Sequence, residues 1–193
     1  MIRAVILDYF SVISPDIYEI FEKEMSKQSS EVGAQIRDSL HRYYSGIINF
    51  DSFILNLESI FRTKKIATFF LKLYDSNIPP HVLYFAKKMH ARFLKVAIVG
   101  NIGEREIDLL TKFDEYTKEV DLIAGPLTYG LPLMSEDFFK QALYDIGEPP
   151  EKCLLISKHL DYLSFGKKIG LKIYQFDNFN NLTEYIQKEI DAN

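Results

Sequence analysis

The chain opens with a short apolar run that ends abruptly in a carboxylate. Residues 4–7 read Ala-Val-Ile-Leu, and Asp8 follows them directly. An uninterrupted apolar run of this length is typical of a strand that is buried on both faces of a parallel sheet. In open α/β sheets, ligands bind at the carboxyl ends of the strands. The sequence therefore predicts a parallel sheet with Asp8 at its binding edge.

Apolar strands and amphipathic helices alternate along the second half of the chain. Further strands are predicted at residues 96–99, 122–124, 154–156 and 173–176. Helices are predicted at residues 81–92, 104–113, 136–146, 160–168 and 182–190. Such alternation indicates βαβ units, whose strands pair in parallel. We therefore predict an α/β fold, a doubly wound parallel sheet with a Rossmann-type core.

Residues 15–76 show helical periodicity without an intervening strand. Helices are predicted there at residues 16–25, 29–44, 49–61 and 66–74. This all-helical segment is inserted directly after the strand that bears Asp8. We therefore predict a core domain of residues 1–14 and 77–193, and a helical cap domain of residues 15–76 that covers the carboxyl edge.

The composition restricts which binding partners and which cellular location we expect. The chain is 47% hydrophobic and 26% charged with a formal net charge of −4, which argues against nucleic acid and anionic membranes as partners. No stretch approaches the ~18 apolar residues of a membrane span. The single cysteine, Cys153, allows no disulfide within this sequence. Residues 1–3 lead straight into a strand, so we expect no signal peptide and a cytoplasmic location. The sequence shows no coiled-coil heptad pattern, so it does not predict an oligomeric state.

Several segments together resemble the motifs of the haloacid dehalogenase-like (HAD) hydrolases. Residues 4–13 resemble the first motif, and residues 96–101 followed by Arg-Glu resemble the second. Residues 139–150 resemble the helix after the third motif, and residues 154–170 resemble the fourth. The order matches HAD hydrolases in which a helical cap follows the first motif. The resemblance implies a HAD-like core with a helical cap.

The resemblance also implies a chemistry. In the HAD phosphatases, the first-motif Asp attacks phosphorus to give an aspartyl-phosphate, which water then opens. Magnesium, held by oxygen ligands that include acidic residues of the fourth motif, offsets the repulsion between the two anions. A third-motif Lys and a second-motif hydroxyl assist. Asp8 is the implied nucleophile, and magnesium is the implied cofactor if the protein is a phosphatase.

The first three motifs depart from the phosphatase pattern. Phe10 stands where most of these phosphatases have a second Asp. Gly100 takes the position of the second-motif hydroxyl, although Asn101 and backbone amides follow it. The third-motif Lys position falls on Leu131 or Leu133, and neither is cationic.

The fourth motif departs as well. Its first acidic positions fall on Ser157 and Lys158, and its later one falls on Tyr162 with Asp161 beside it. A lysine adds a like charge beside any divalent cation. If a metal binds, Asp8 and Asp161 are the candidate ligands. Alternatively, the Lys158 ammonium projects toward Asp8 and substitutes for the charge of the metal.

Three interpretations stay open. In the first, the fold is kept, magnesium-dependent phosphatase activity is weak or lost, and the protein binds a small anion or a protein partner. In the second, it is a metal-independent hydrolase similar to the 2-haloacid dehalogenases, which share an aromatic residue at the position of Phe10 and a serine at that of Ser157. Arg37 and Arg42 are then candidates for a cap arginine. In the third, it is an active phosphatase on a small phosphorylated metabolite.

The candidate residues follow from these interpretations. Asp8 occupies the nucleophile position, and Lys158 is the candidate for the charge substitute. The residues predicted to contact substrate lie at the ends of the predicted strands and in the turns that follow: Phe10, Gly100, Asn101, Ser157 and His159.

Overall fold

A computed structural model describes residues 1–14, 29–62, 80–112 and 118–191, together with the single positions 23, 27 and 68. Nearly all of the predicted helices at residues 16–25 and 66–74 lie outside this part of the chain. None of the described helices has the length and apolar character needed to span a membrane.

The core is one sheet of five parallel strands. In chain order these are β1 (Ala4–Asp8), β2 (Lys95–Val99), β3 (Leu122–Ala124), β4 (Cys153–Ser157) and β5 (Lys172–Gln175). Their order across the sheet is β3-β2-β1-β4-β5, so β1 is central and every one of its residues is buried. Asp8 pairs with Val99 in register, which places it at the carboxyl edge as predicted. The predicted α/β class and parallel sheet are confirmed.

Helices surround the sheet. In chain order they are α1 (Ser30–Tyr44), α2 (Phe50–Phe61), α3 (Pro80–His90), α4 (Glu104–Thr111), α5 (Pro126–Tyr129), α6 (Glu136–Ile146), α7 (Leu160–Lys168) and α8 (Phe179–Asp191). One turn of π-helix (Tyr9–Ile13) follows β1, and one turn of 3₁₀-helix (Pro150–Lys152) precedes β4. The predicted helices do not include α5. Pro126 at its first position and the Thr128 hydroxyl, which accepts from the Gly125 N–H at 3.0 Å, account for this short helix.

The alternation of side chains along β1 divides the core between two layers of helices. Val5 and Leu7 belong to an apolar cluster with residues of α1, α2, α3, α4 and α8. Ala4 and Ile6 belong to a second cluster with residues of α6 and α7. Since successive side chains of a strand point to opposite faces, the sheet is covered on both sides, which is the doubly wound arrangement.

Helices α1 and α2 form a helical pair within the predicted cap domain. The Ser29 hydroxyl accepts from the Val32 N–H at 3.4 Å, and the Asn49 side chain accepts from the Ser52 N–H at 2.9 Å, so each helix begins at a polar cap. Between the helices, the rings of Tyr43 and Phe53 stack at a centroid distance of 5.0 Å. The domain bounds of 15–76 stay a prediction, because the ends of that segment lie outside the described residues.

The helical pair is fixed to the start of α4 by a buried carboxylate. The Tyr43 hydroxyl donates to Glu106 Oε2 at 2.6 Å, and the Gly103 N–H donates to the same oxygen at 3.0 Å. Glu106 is fully buried. The Phe50 N–H donates to Glu104 Oε1 at 2.7 Å. Since a buried carboxylate is stabilised by such donors, these bonds hold the helical pair against the core.

Replacing Gly103 by alanine should destabilise the fold, because a Cβ there would lie 2.5 Å from Tyr43 Cζ. We expect a loss of about 1–3 kcal/mol in the free energy of unfolding, measured by urea denaturation. Gly33→Ala is the matched control in α1. Its Cβ would meet only the end of the Arg37 side chain, at 3.6 Å, and it should stabilise by roughly 0.5–1 kcal/mol. Equal effects of the two substitutions would contradict the packing described here.

Candidate functional site

The carboxyl ends of three adjacent strands bring the chemically capable residues together. Asp8 ends β1, Asn101 follows β2, and Ser157 ends β4. These three strands are neighbours in the sheet, so their ends converge at one place on its edge. The π-helical turn after β1 and the start of α7 complete the surroundings. The site therefore lies where parallel α/β sheets bind ligands.

Asp8 is held by two serine hydroxyls. The Ser157 hydroxyl donates to Asp8 Oδ2 at 2.5 Å, and the Ser11 hydroxyl donates to the same oxygen at 2.7 Å. All three side chains are buried, with 5% of Asp8 exposed. Two O–H donors on one oxygen favour negative charge there. The arrangement therefore fixes the position of the carboxylate and stabilises it as an anion.

Backbone amides orient the two hydroxyls. The Lys158 N–H donates to Ser11 Oγ at 3.1 Å, and the His159 N–H donates to Ser157 Oγ at 3.0 Å. Each serine oxygen therefore accepts from the β4–α7 turn and directs its own proton toward Asp8. The two hydroxyl oxygens lie 3.1 Å apart. Because each hydroxyl has only one proton, this network leaves neither serine with a proton to give to a ligand.

A cavity of about 360 Å³ opens next to Asp8. Its described lining comes from the ends of the strands, from α1, from the segment after α5 and from α7: Asp8, Phe10, Tyr44, Asn101, Leu133, Met134, His159, Asp161 and Tyr162. Most of these side chains are apolar or aromatic. A volume of this size holds a small organic molecule.

Tyr162 lines this cavity, and its hydroxyl oxygen is buried in the protein. Its side chain is 5% exposed, and among the described residues its hydroxyl has no hydrogen-bond partner. Burial, and second the nearby charge of Asp8, raise the pKa of Tyr162 well above its ordinary value. Tyr162 is therefore a neutral phenol beside the carboxylate, with unused capacity to donate and to accept a hydrogen bond.

Close packing explains the glycine at position 100. A Cβ there would lie 2.9 Å from Tyr9 Cβ, 3.2 Å from the Tyr9 nitrogen and 3.6 Å from Asp8 Oδ1. A serine or threonine would need the turn after β1 to move. A side chain at position 100 therefore has no room in this backbone.

Some of the other residues predicted for the site line the Asp8 cavity, and others do not. Three of the predicted contact residues, Phe10, Asn101 and His159, line the cavity together with Asp161, the candidate metal ligand. Ser157 acts through Asp8. The structure also distinguishes the two leucines proposed for the third-motif position. Leu133 lines the cavity, and Leu131 packs against the second apolar cluster.

The cap arginines lie outside the cavity beside Asp8. Arg37 and His41 line a neighbouring cavity of about 280 Å³, which shares Tyr44, Asn101, Leu133 and Met134 with the first. Arg42 lines a third cavity, formed with residues of α2. The structure therefore does not bring Arg37 or Arg42 into the lining of the Asp8 cavity.

The predicted pairing of Lys158 with Asp8 is not present. The Lys158 side chain is exposed, and its Nζ lies 5.9 Å from the centroid of the Phe176 ring. The ion pairs of the described residues include none between Lys158 and Asp8. An ammonium on an aromatic face keeps contact with water, which a buried pair would remove. Only the Lys158 backbone supports the site here, and its role as a charge substitute stays a prediction.

Three residues of the site, Ser11, Tyr44 and Met134, are not among the residues predicted from the sequence to form it. Ser11 lies three residues after Asp8, and its hydroxyl could have been recognised as a partner of the carboxylate from that spacing. Tyr44 and Met134 carried no such signal. Tyr44 reaches the site from α1, and Met134 reaches it from the segment between α5 and α6. Their placement depends on tertiary packing.

The described residues around Asp8 do not form a cluster of acidic ligands for magnesium. Magnesium binds oxygen ligands in near-octahedral geometry, usually through one or two carboxylates. The described hydrogen bonds to Asp8 come from serine hydroxyls, and the other carboxylate of the cavity, Asp161, is exposed. Within the described part of the chain, no group of three or more His, Cys, Asp or Glu side chains could hold a metal ion.

Comparison with solved structures decides the fold. The HAD-family enzyme BT-2542 from Bacteroides thetaiotaomicron matches with a TM-score of 0.73 at 14% identity, over 94% of this chain and 98% of that chain. A predicted HAD-like family hydrolase from Porphyromonas gingivalis matches with a TM-score of 0.69 at 16% identity, over 98% of each chain. The chain has the fold of the HAD-like hydrolases.

Two of the proteins with a similar fold have been solved with different bound groups. BT-2542 has also been solved in complex with magnesium and inorganic phosphate. The L-2-haloacid dehalogenase from Xanthobacter autotrophicus, solved with chloropropionic acid covalently bound, matches with a TM-score of 0.59 at 15% identity, over 90% of this chain and 76% of that chain. No family model and no curated protein matches the sequence. At these identities the likeness establishes the HAD-like fold alone.

Removing the Ser157 hydroxyl should cost stability, because Asp8 would lose a donor and the His159 N–H would lose its acceptor. We expect Ser157→Ala to lower the free energy of unfolding by about 1–3 kcal/mol, measured by urea denaturation. Ser39→Ala is the matched control, since the buried Ser39 hydroxyl has no partner among the described residues. That variant should show no loss or a small gain. A larger loss for Ser39→Ala than for Ser157→Ala would contradict the assigned network.

Proposed function

We propose that this HAD-fold protein has weak or no magnesium-dependent phosphatase activity and that its Asp8 cavity binds a small organic molecule. The proposal rests on one observation. Two serine hydroxyls hold the carboxylate at the nucleophile position, and the described residues around it include no cluster of acidic ligands for a metal. Within the described part of the chain, the nucleophile position is therefore kept without an acidic cluster that would hold a metal for attack on a phosphate.

Charge supports this proposal. A phosphate ester is an anion, and it must approach the anionic Asp8 for attack on phosphorus. Among the described residues that line the cavity there is no lysine or arginine, and Asp161 adds a second carboxylate. The described lining therefore supplies no cationic side chain to offset the repulsion between the two anions. For the same reason, binding of a small anion has less support here than binding of a neutral or cationic molecule. A protein partner stays a prediction.

An aryl phosphate assay tests the proposal. We expect p-nitrophenyl phosphate to be hydrolysed no faster by the wild-type protein than by Asp8→Asn, with or without magnesium chloride, since the described cavity lining includes no cationic side chain and no metal-binding cluster to assist attack on phosphorus. Product is measured by absorbance. Thermal unfolding with and without magnesium chloride serves as an independent readout, and the two midpoints should agree. Magnesium-dependent turnover that disappears in Asp8→Asn would show that the protein is a working phosphatase.

A second candidate function is metal-independent displacement at carbon. It is favoured by the fixed Asp8 carboxylate beside the apolar side chains of Phe10, Leu133 and Met134. In that reaction, an Asp8 oxygen bonds to the carbon of an alkyl halide as the carbon–halogen bond breaks, and halide leaves with the bonding pair. Water then hydrolyses the ester, which gives the alcohol, regenerates the carboxylate and releases a proton.

Halide release distinguishes this second candidate. If it holds, the wild-type protein should release chloride from 2-chloropropionate without added metal, and Asp8→Asn should not, because the amide is a poor nucleophile. Chloride is measured with an ion-selective electrode against a no-protein blank. Equal rates in the wild type, the variant and the blank would exclude 2-chloropropionate as a substrate.

A further inference from the structure

Two neighbouring cavities at the carboxyl edge of the sheet share part of their walls. The Asp8 cavity has a volume of about 360 Å³, and the cavity lined by Arg37 and His41 has a volume of about 280 Å³. Four described residues line both cavities: Tyr44, Asn101, Leu133 and Met134. Because a residue that borders two cavities lies between them, these four form a partition. The two cavities are therefore adjacent parts of one cleft between α1 and the core.

The partition is mostly apolar, and one of its side chains is flexible. Tyr44 and Leu133 are 7% and 9% exposed, whereas Met134 is 51% exposed. The backbone at Met134 is held by a turn, since the Ser135 N–H and hydroxyl both donate to the Pro132 carbonyl, at 3.1 and 2.7 Å. A methionine side chain has three rotatable bonds and repacks easily. The Met134 side chain can therefore move aside while its backbone stays in place.

Polar side chains line both cavities away from the partition. The residues that line only one of the two cavities include these: Asp8, His159 and Asp161 in the first, and Arg37, His41 and Ser45 in the second. Asp161 and His41 are exposed, so each end of the cleft has a polar side chain in contact with water. A polar ligand group at either end can therefore keep its hydrogen bonds, whereas the middle of the cleft favours an apolar segment.

We propose that the two cavities form one elongated binding site for a molecule with an apolar middle and a polar group at each end. The apolar segment lies against Leu133 and Met134. One polar group lies beside Asp161 and the other lies beside His41. The inference deepens the proposed function and rests on it, because the Asp8 cavity is the binding site in both. It adds ligand length as the property that is selected, and it does not depend on the sign of the ligand's charge.

Linear diols with a hydroxyl at each end test the preference for length, because they are neutral. We expect octanediol to bind at least about tenfold more tightly than butanediol, since its additional methylene groups lie against the partition. Octanol is more apolar but lacks one terminal hydroxyl, so it should bind more weakly than octanediol. Binding is measured by isothermal calorimetry or ligand-observed NMR.

A bulky substitution at the far end locates the effect. His41 lines only the second cavity, so His41→Trp should fill it. We expect this variant to bind octanediol about fivefold or more weakly than the wild type does and to bind butanediol equally well. Asp38→Trp is the matched control. Asp38 is an exposed residue of the same helix that lines a third cavity, and its substitution should leave both affinities unchanged.

The methionines provide a second measurement, on the wild-type protein. The chain has four of them, of which Met134 lines both cavities and Met89 is fully buried in the first apolar cluster. In protein labelled with carbon-13 at the methionine methyl groups, octanediol should shift the Met134 signal and leave the Met89 signal in place. The Met134 signal is assigned as the one that disappears in Met134→Leu.

The outcomes separate this inference from the proposed function. Octanediol binding no tighter than that of butanediol or octanol, or no binding of either diol at 10 mM (roughly the weak limit of specific binding) to folded protein, overturns the inference. An equal loss of octanediol affinity in His41→Trp and Asp38→Trp, or an unmoved Met134 signal, overturns it as well. The proposed function fails separately, if the aryl phosphate assay shows magnesium-dependent turnover. A preference for octanediol that His41→Trp removes, without such turnover, supports both.

Discussion

One buried carboxylate at the end of the central strand organises this molecule's binding edge. Asp8 lies in the middle of the sheet, where both neighbouring strands end beside it. Its charge would be unfavourable in that position without donors, and Ser11 and Ser157 supply them from the turn after β1 and from β4. The hydroxyl oxygens of the two serines also accept hydrogen bonds from backbone N–H groups of the β4–α7 turn. The position of α7, and with it one wall of the cavity, therefore depends on this carboxylate.

A second buried carboxylate, Glu106, also holds two elements of the structure together. Glu106 joins Tyr43 of α1 to the start of α4, while Tyr44, the next residue of α1, reaches into the Asp8 cavity. Separating the helical pair from the core would leave Glu106 without the Tyr43 donor. The hydrogen bond between Tyr43 and Glu106 therefore helps to position the wall formed by α1, although neither residue lines the Asp8 cavity.

The fold could be predicted from the sequence because its signals are local and repeated. The apolar run before Asp8, the alternating strands and helices, and the polar caps Ser29 and Asn49 are all visible without tertiary information. The four-residue helix α5 was missed, because one turn produces no periodicity to detect. The Asp8 position at the carboxyl edge followed from the same reasoning, since the ends of parallel strands share an edge.

The chemistry of the site could be predicted only in part, because side-chain direction is a tertiary property. Lys158 was placed near Asp8 by its position after β4, yet its ammonium lies over Phe176 and only its backbone contacts the network. The exposed ammonium avoids the desolvation that pairing with a buried carboxylate would require. The contributions of Tyr44 and Met134 come from elements far apart in sequence, and no local pattern indicates them.

The tight approach of Gly100 to the turn after β1 has a consequence for how such a site can change over evolutionary time. A hydroxyl-bearing residue at this position would bring its Cβ within 2.9 Å of Tyr9 Cβ. A serine or threonine at position 100 therefore requires a shift of the turn after Asp8. Such a residue can be accepted here only together with a second change that relieves this contact.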